Sequence, residues 1–417
     1  MLTSLLSIAT LMLSTLMMMI GFGLMNYMVP IRSIAEGWST MTISLIATSY
    51  TFGFTLSCIV TPKLVLRVGH VRVFGALTTL LTLAILMCAL VVDWRAWLVF
   101  RWFAGFAMAG SYLIIESWLN ERVNNANRGA LFSVYMITSL TGSIAGQYLV
   151  PLGDPSGSDL FILCAVIFSL ALFPTALSTA QSPTPIAQAR FDVWKLYRRS
   201  PVAFIGSLLS GAACGTWIAL GGVYSQNVGM TTAEGATLLA AVLAGGAIAQ
   251  MPIGKISDMV DRRLVMIVCG IVGVISCGIM AMFDASNLTA LYIAGFFVGT
   301  VIYPTYAINV AHANDLAEPQ EYVTISSAIM VLYGLGTITG PIIGGALMQQ
   351  TGAGGLPWFL AANFAAYALY AGWRITRRAP DDSGKSDFQS MPIPLQGNDP
   401  ARTPNTSLNE IEAHPIL

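Results

Sequence analysis

Charged side chains are scarce in this chain of 417 residues. Only 10% of the residues are charged and 55% are hydrophobic, with a mean hydropathy of +0.71. A soluble domain carries about 25% charged residues, so the composition excludes a soluble protein and predicts an all-α membrane protein. The acidic and basic residues, 20 of each, cancel, so the net charge gives no argument for a nucleic-acid partner.

Cysteine and histidine are also few, and their positions exclude several kinds of site. The six cysteines lie singly inside apolar runs, and the three histidines lie in or beside polar loops or near the C-terminus. This scatter predicts no metal site and no disulfide framework. The chain also lacks a phosphate-binding glycine loop, a zinc-protease pattern and any other catalytic constellation. We therefore expect neither an enzyme nor a cofactor.

Long apolar runs are abundant by contrast. A helix rises about 1.5 Å per residue, so about 20 apolar residues cross a hydrocarbon core of roughly 30 Å. The first run lacks a basic n-region and is too long for a signal peptide, so we expect it to be retained. The twelve predicted transmembrane helices lie near 4–30, 41–62, 71–92, 96–118, 130–152, 160–179, 201–226, 232–254, 264–283, 288–311, 323–348 and 356–375.

An internal repeat relates the first six runs to the last six. Such parallel repeats are typical of transporters. We predict two pseudo-symmetric six-helix halves at 1–179 and 201–379, a cytoplasmic linker at 180–200 and a disordered cytoplasmic tail at 380–417. Offsets of 192 and then 194 residues pair Gly23 with Gly215, Gly37 with Gly229, Gly53 with Gly245, Lys63 with Lys255, Gly105 with Gly299, Gly142 with Gly336 and Gly146 with Gly340.

Basic residues are divided unequally between the two sides of the predicted bundle. With the N-terminus inside, 17 of the 20 Lys and Arg residues face the cytoplasm, Arg32 and Arg95 face out, and Arg101 lies within a span. The positive-inside rule therefore predicts that both termini are cytoplasmic. We expect a multi-pass, monomeric protein of the cell (inner) membrane, with the lipid bilayer and a small-molecule substrate as its partners.

A polar segment at 254–263 separates two apolar runs, so we expect a tight hairpin with its charges in water. It resembles the loop motif G-x-L-x-D-R-x-G-R-K of the major facilitator superfamily. The match rests on Gly254, Asp258, Arg262 and Arg263, and the departures are Met259 and Asp261. The runs 115–121 and 251–258 look most like the bacterial YcaD-type branch of this superfamily. The resemblance implies transport by alternating access.

The resemblance also implies a latch between the cytoplasmic ends of the two halves. Glu121 and Arg128 resemble the family's Glu-x6-Arg pairing, whose charge-assisted bonds form in one conformation and break in another. Leu66 occupies the usual acidic position of the first loop. The alternative is a set of solvated charges that contribute little. The expected gate residues are Lys63, Arg67, Glu121, Arg128, Lys255, Asp258, Arg262 and Arg263.

The fourth span carries charge inside the membrane. Arg101, Tyr112 and Glu116 lie along one face of the predicted helix. The pattern Arg101-x-x-x-Gly105 resembles the family's fourth-helix motif, in which the arginine is implicated in proton coupling. We expect Arg101 and Glu116 to act in coupling, with protons as the candidate ion. The alternatives are that Arg101 snorkels to the interface and that Glu116 is interfacial. An arginine does not itself deprotonate, so Arg101 requires a titratable partner.

By the same resemblance, the first, fourth, seventh and tenth spans line a central cavity, with contributions from the fifth and eleventh. Pro304 permits a bend in the tenth span. Aromatic and amide groups without a deep carboxylate suit a neutral or aromatic solute, and ordinary helix packing is the alternative for each residue. The expected cavity residues are Asn26, Tyr27, Arg101, Tyr112, Gln147, Trp217, Tyr303, Tyr306, Asn309 and Tyr333.

Three functions follow in order of preference. The first is a secondary transporter, a symporter that imports a small neutral or aromatic metabolite such as riboflavin or a nucleobase. The second is proton-coupled efflux of drugs or metabolites, suggested by Arg101 and by the glycine-rich run 336–345. The family's antiporter motif belongs in the fifth span, where Gln147 replaces its proline, so that run favours helix packing instead. The third is a transport-dead membrane sensor, which no feature favours.

Overall fold

The computed structural model describes residues 2–121, 128–176, 192–318 and 321–377. The expected tail at 380–417 and residues 180–191 of the expected linker lie outside the described residues. Within the described ranges the regular structure is helical. The helices are α1 (Leu2–Ala35), α2 (Thr40–Val68), α3 (His70–Leu90), α4 (Trp94–Glu121), α5 (Arg128–Leu149), α6 (Asp159–Ala176), α7 (Val193–Arg199), α8 (Pro201–Asn227), α9 (Thr232–Met259), α10 (Arg262–Met282), α11 (Leu288–Ile302), α12 (Pro304–Asp315), α13 (Tyr322–Thr351) and α14 (Gly355–Ile375).

Twelve helical segments form the bundle, because α11 and α12 together make one broken segment and the short α7 belongs to the linker. Among the described residues, nine segments are long and apolar enough to cross a membrane by themselves. The other three, α5, α6 and α14, pack along α1, along α1 and α3, and along α10 respectively. The predicted twelve-helix membrane fold in two six-helix halves is confirmed.

The break in the tenth segment lies where the sequence predicts a bend. Helix α11 ends at Ile302 and α12 begins at Pro304, with Tyr303 between them. Proline has no backbone N–H to donate and its ring clashes with the preceding turn. Pro304 therefore weakens the helix at this point, and the regular helix is interrupted at Tyr303.

Glycine contacts repeat from one half to the other. A Cβ atom at Gly23 would meet the backbone of Ser143, and one at Gly215 would meet the backbone of Thr337. Ser143 and Thr337 are themselves 194 residues apart, so the α1–α5 crossing recurs as the α8–α13 crossing. The same relation holds for Gly53 with Trp102 and Gly245 with Phe296, for Gly105 with Tyr50 and Gly299 with Val242, and for Gly142 with Leu16 and Gly336 with Leu208. Such backbone contacts assign Gly336 and Gly340 of α13 to close helix packing.

The two ends of the bundle differ in charge and in contacts. We call the end that contains Lys63, Lys255 and Arg262 the basic end, and the other the far end. Helix α2 packs against α13, α5 against α9 and α1 against α8, and these contacts join the two halves. Four hydrogen bonds between described residues cross between the halves, three at the far end and that of Thr48 about two turns inside it. They join Tyr27 to Thr232, Met41 to Gln349, Thr48 to Ile338 and Tyr148 to Thr237.

The last residues of the expected linker form the short helix α7, which docks on the start of α13. The Glu321 carboxylate accepts hydrogen bonds from Lys195 Nζ at 2.8 Å and from Arg199 Nη2 at 3.1 Å. A second carboxylate, that of Glu318, lies 2.8 Å from Arg199 Nη2. The hydrogen bond from Lys195 is the main reason that the pKa of Glu321 falls to about 2, and Arg199 adds to it. The ionised carboxylate of Glu321 is therefore the form that binds Lys195 and Arg199 of α7.

We expect the docking of α7 to survive mild acid and to be lost only at low pH. Because the pKa of Glu321 is lowered from 4.5 to about 2, its stabilisation is complete above pH 4.5 and disappears as the pH falls through 2. Glu321→Gln should instead accelerate amide exchange in α7 at neutral pH, by up to about fivefold for a partly exposed ion pair. Hydrogen exchange measures both effects. Glu318→Gln should have a smaller effect than Glu321→Gln, because the Glu318 side chain is 66% exposed and pairs only with Arg199. Unchanged exchange in Glu321→Gln would contradict the docking.

Candidate functional site

Arg262 is the centre of a buried charge cluster at the basic end. Its side chain is 1% exposed. Its Nε donates to Asp315 Oδ2 at 2.7 Å, and its Nη1 donates to Asp258 Oδ1 and to Ser257 Oγ at 2.9 Å each. The planar guanidinium can hold two carboxylates in this way because its five N–H donors point in fixed directions. The cluster ties the end of α9 and the start of α10 to the end of α12.

The neighbouring Arg263 forms a second pair. Its Nη2 lies 2.7 Å from Asp261 Oδ2, and its Nη1 donates to the backbone carbonyl of Arg374 at 3.5 Å. Burial raises the pKa of Asp261, but hydrogen bonds from the side chain and backbone of Arg263 outweigh it, so the pKa lies below its ordinary value. Asp261 also caps α10 through the backbone N–H of Arg263. Asp261, which departs from the loop motif of the superfamily, is therefore the ion-pair partner of Arg263.

The expectation that the charges of 254–263 lie in water is wrong for two of them. Residues up to Met259 belong to α9, and α10 begins at Arg262. The arginines Arg262 and Arg263 are only 2% and 5% exposed. Burial of an arginine is tolerated when carboxylates and further hydrogen bonds satisfy its N–H groups, and Asp315 and Asp261 supply them here.

The other expected gate residues are less constrained. Lys63, Arg67 and Lys255 are exposed and form no ion pair within the described part of the chain. Glu121 ends α4 and Arg128 begins α5, but their side chains lie outside the described residues. The latch between the halves therefore stays a prediction.

Sequence reasoning missed Asp315, although the repeat contains a signal for it. Asp315 lies 194 residues after Glu121, the same offset that relates the glycines of α4 and α11. It is therefore the second-half counterpart of the acid in the Glu-x6-Arg pattern. A search of the repeat for charged residues would have found it.

Arg101 lies inside the first half and is 4% exposed. Its guanidinium carbon is 4.4 Å from the ring centroid of Tyr50, a cation–π distance. Its Nε and Nη1 atoms have no hydrogen-bond partner within the described ranges. The titratable groups around it are Tyr50, Cys88 and Cys164. The guanidinium of Arg101 is therefore buried with no carboxylate among these described neighbours.

Glu116 occupies a separate buried polar cluster on the same helix. It is 6% exposed, and the hydroxyl of Tyr135 donates to its Oε1 at 3.3 Å. The ring of Tyr135 lies 6.0 Å from that of Tyr112. Glu116 is 15 positions after Arg101, about 22 Å along a helix. The two coupling candidates therefore cannot pair with each other.

Three of the expected cavity tyrosines come together in the second half. The rings of Tyr306 and Tyr333 meet edge to face, with centroids 4.7 Å apart. Tyr303 and Cys214 are further neighbours of Tyr333. The three tyrosines are 2–5% exposed. They form an aromatic group, Tyr303, Tyr306 and Tyr333, beside the break between α11 and α12.

The remaining cavity candidates are dispersed. Asn309 donates to Ser210 Oγ at 3.0 Å and accepts from the Tyr367 hydroxyl at 3.1 Å, which fixes its amide inside the second half. Trp217 is 2% exposed. Tyr27 lies between the halves and donates to the backbone carbonyl of Thr232 at 2.7 Å.

Two amide side chains among the cavity candidates remain, one partly open to solvent and one with an oxygen unpartnered within the described part of the chain. Asn26 is half-buried. Gln147 is 9% exposed, and its Oε1 has no hydrogen-bond partner among the residues that the structure describes. The roles of all the cavity candidates in binding stay predictions.

Comparison with known proteins gives consistent matches over both halves. A profile described as the Major Facilitator Superfamily matches residues 11–241 and 204–415. The uncharacterized MFS-type transporter YE1530 of Yersinia enterocolitica is 26% identical over 337 residues, which is 80% of this chain and 87% of that protein. The uncharacterized MFS-type transporter YcaD of Salmonella heidelberg is 26% identical over 341 residues, again 80% and 87%.

Two solved structures share the fold. The nucleoside transporter NupG is 14% identical, with 90% of this chain and 100% of that chain covered and a TM-score of 0.77. A bacterial homologue of the human lysosomal transporter Spinster, in an inward-facing and occupied conformation, is 14% identical, with 90% and 98% covered and a TM-score of 0.70. The profile match and the repeated six-helix halves together establish that the chain belongs to the Major Facilitator Superfamily.

Proposed function

We propose that this protein is a secondary transporter that imports a small neutral or aromatic organic metabolite, of the vitamin or nucleobase type, by alternating access. The aromatic group beside the α11–α12 break is the observation that carries this proposal. Its edge-to-face rings and hydroxyls supply stacking and hydrogen bonds to a planar solute. The described titratable neighbours of Tyr333 are Cys214, Tyr303 and Tyr306, which offer a cationic drug no carboxylate.

Alternating access requires the two halves to move relative to each other. The group is nearly fully buried, so a solute would reach it only when the helices around it separate. By the positive-inside rule we propose that the basic end, where α1 begins and α14 ends, faces the cytoplasm. The hydrogen bonds of the far end, such as Tyr148 to Thr237 at 3.0 Å, then close the outer side and must break to admit solute.

We propose Glu116 as the group that carries the coupling proton. A carboxyl group can gain and lose a proton, whereas an arginine keeps its charge. Glu116 is buried and accepts a hydrogen bond from Tyr135, so its protonation would change a buried interaction. In this scheme, Arg101 has a structural role, because its cation–π contact with the ring of Tyr50 joins α4 to α2 inside the first half.

Uptake of labelled riboflavin, other vitamins, nucleobases and nucleosides into cells that express the protein tests the proposal. Nucleosides belong in the panel because a nucleoside transporter shares the fold. We expect saturable uptake of one compound, loss of uptake with an uncoupler, and loss of the uncoupler effect in Glu116→Gln. Tyr306→Ala should raise KM about two- to tenfold, the range expected for one lost ring contact.

Phe297→Ala is the matched control, since Phe297 is an aromatic residue of α11 that is 47% exposed. Its KM should stay at the wild-type value. Absence of uptake across the panel, with faster expulsion of preloaded compounds, would overturn import in favour of efflux. Equal effects of Tyr306→Ala and Phe297→Ala would overturn the assignment of the aromatic group.

A further inference from the structure

Helix α7 and the last turn of α14 expose aromatic and basic side chains together at the basic end. We call this set the Arg–aromatic patch. Trp194 is 60% exposed, Tyr197 40% and Trp373 49%. Each arginine of the patch has its guanidinium carbon 5.7 Å from a tryptophan ring centroid. The members are Trp194, Tyr197 and Arg198 of α7, Trp373 and Arg374 of α14, and Arg377 in the turn that follows α14.

The two parts of the patch are neighbours in space although about 175 positions separate them in the sequence. Tyr370 of α14 interacts electrostatically with both Tyr197 and Arg374. The Tyr370 ring lies 5.7 Å from that of Trp373, and the Tyr197 ring is stacked 5.3 Å from that of Trp194. Within each part the rings lie beside the arginines, and Tyr370 lies within electrostatic range of Tyr197.

The positive charge of the patch is not neutralised within the described part of the chain. The nearby carboxylates of Glu318 and Glu321 bind Lys195 and Arg199, and Asp192 caps the start of α7. The arginines of the patch form no ion pair with a described carboxylate. The site therefore presents three guanidinium groups to an anion.

One face of α14 changes in polarity as it reaches this end. Leu369 and Trp373 are four residues apart on one face of α14, and Arg377 lies in the turn that follows the last helical residue, Ile375. Leu369 is 73% exposed, and Trp373 is 49% exposed. An apolar, then aromatic, then basic face matches an amphiphile whose chains lie in the hydrocarbon and whose anionic headgroup lies at the interface.

We propose that the Arg–aromatic patch binds the headgroup of an anionic phospholipid, with the acyl chains of the lipid along Leu369. Arginine forms paired hydrogen bonds to phosphate oxygens, and Trp and Tyr rings favour the headgroup level of a bilayer. The bound lipid would bridge the linker helix and the last helix of the second half. This site is independent of the solute and of the direction of transport.

Native mass spectrometry of the full-length protein in detergent, titrated with phosphatidylglycerol or phosphatidylcholine, tests the proposal. The wild type should retain phosphatidylglycerol at least tenfold more tightly than phosphatidylcholine. Each arginine removed should weaken retention about fivefold, so Arg198→Gln, Arg374→Gln and Arg377→Gln combined should abolish the preference. Arg377→Gln alone, at an exposed position, gives a fivefold test if the triple variant does not fold.

A triple variant with Lys63→Gln, Arg67→Gln and Arg72→Gln is the matched control. It removes the same charge from exposed positions at the same end and should keep the preference. Equal losses in both triple variants would reduce the effect to net charge and overturn the site. Displacement of the lipid by equimolar glycerol 3-phosphate would also overturn it, because the ligand would then be a soluble phosphate.

Discussion

Gly245→Val should reduce the amount of folded protein in the membrane at least tenfold. Gly245 lies on α9, and a Cβ atom there would meet the backbone carbonyl of Phe296 on α11. A side chain could rotate away, but a helix backbone cannot, so the two helices would have to separate. Because no rotamer relieves a clash with backbone, the cost should exceed the about 1–3 kcal/mol typical of core overpacking and remove most of a total stability of about 5–15 kcal/mol.

Gly278→Val on α10 is the matched control for this substitution. A Cβ atom at Gly278 would meet no atom within 4 Å, while the intrinsic cost of valine in a helix is the same. Gly53→Val, at the repeat-related position, should behave like Gly245→Val. Fluorescence-detected size-exclusion chromatography and thermal denaturation measure the outcome. Equal yields for Gly245→Val and Gly278→Val would show that the close crossing is not required.

Arg262→Gln should lower transport at least tenfold while the protein still reaches the membrane. The substitution leaves the carboxylate of Asp315, 13% exposed, and that of Asp258, 33% exposed, without their shared cation. Removal of one partner from a buried ion pair costs about 3–5 kcal/mol. The ends of α9, α10 and α12 would then lose their common contact. Initial uptake rates, normalised to protein in the membrane, measure the loss.

A double variant distinguishes loss of the Arg262–Asp315 ion pair from other effects of Arg262→Gln. Arg262→Gln combined with Asp315→Asn removes both the cation and one carboxylate, and should recover part of the thermal stability lost in Arg262→Gln. Coupling of about 0.5–3 kcal/mol is expected for residues in contact. Arg72→Gln, at an exposed position of the same end that is not among the gate candidates, should stay within twofold of the wild-type rate. A double variant no more stable than the single variant would argue against the pair.

The sequence was informative wherever the relevant signal was local or repeated. Apolar runs of about 20 residues located the helices because the hydrocarbon thickness sets their length. The glycine spacing located the crossings because both halves use the same packing, as Gly53 with Trp102 and Gly245 with Phe296 demonstrate. Pro304 located the break in the tenth segment because proline acts on its own turn of helix.

The sequence was silent wherever a residue depends on a partner far along the chain. Nothing beside Arg101 in the sequence points to the ring of Tyr50, and nothing beside Glu116 points to the hydroxyl of Tyr135. Arg262 was expected in water because its sequence neighbours are polar, yet its carboxylate Asp315 is 53 positions away.

The sequence by itself determined the membrane class, the number of helices, the repeat and the family resemblance. These properties follow from hydrophobic length, residue size and spacing, which each segment carries alone. Only the tertiary structure decided which charges are buried, which arginine finds which carboxylate, and which tyrosines meet beside the α11–α12 break. Those outcomes depend on how helices distant in sequence approach one another, because burial and pairing arise only when two surfaces meet.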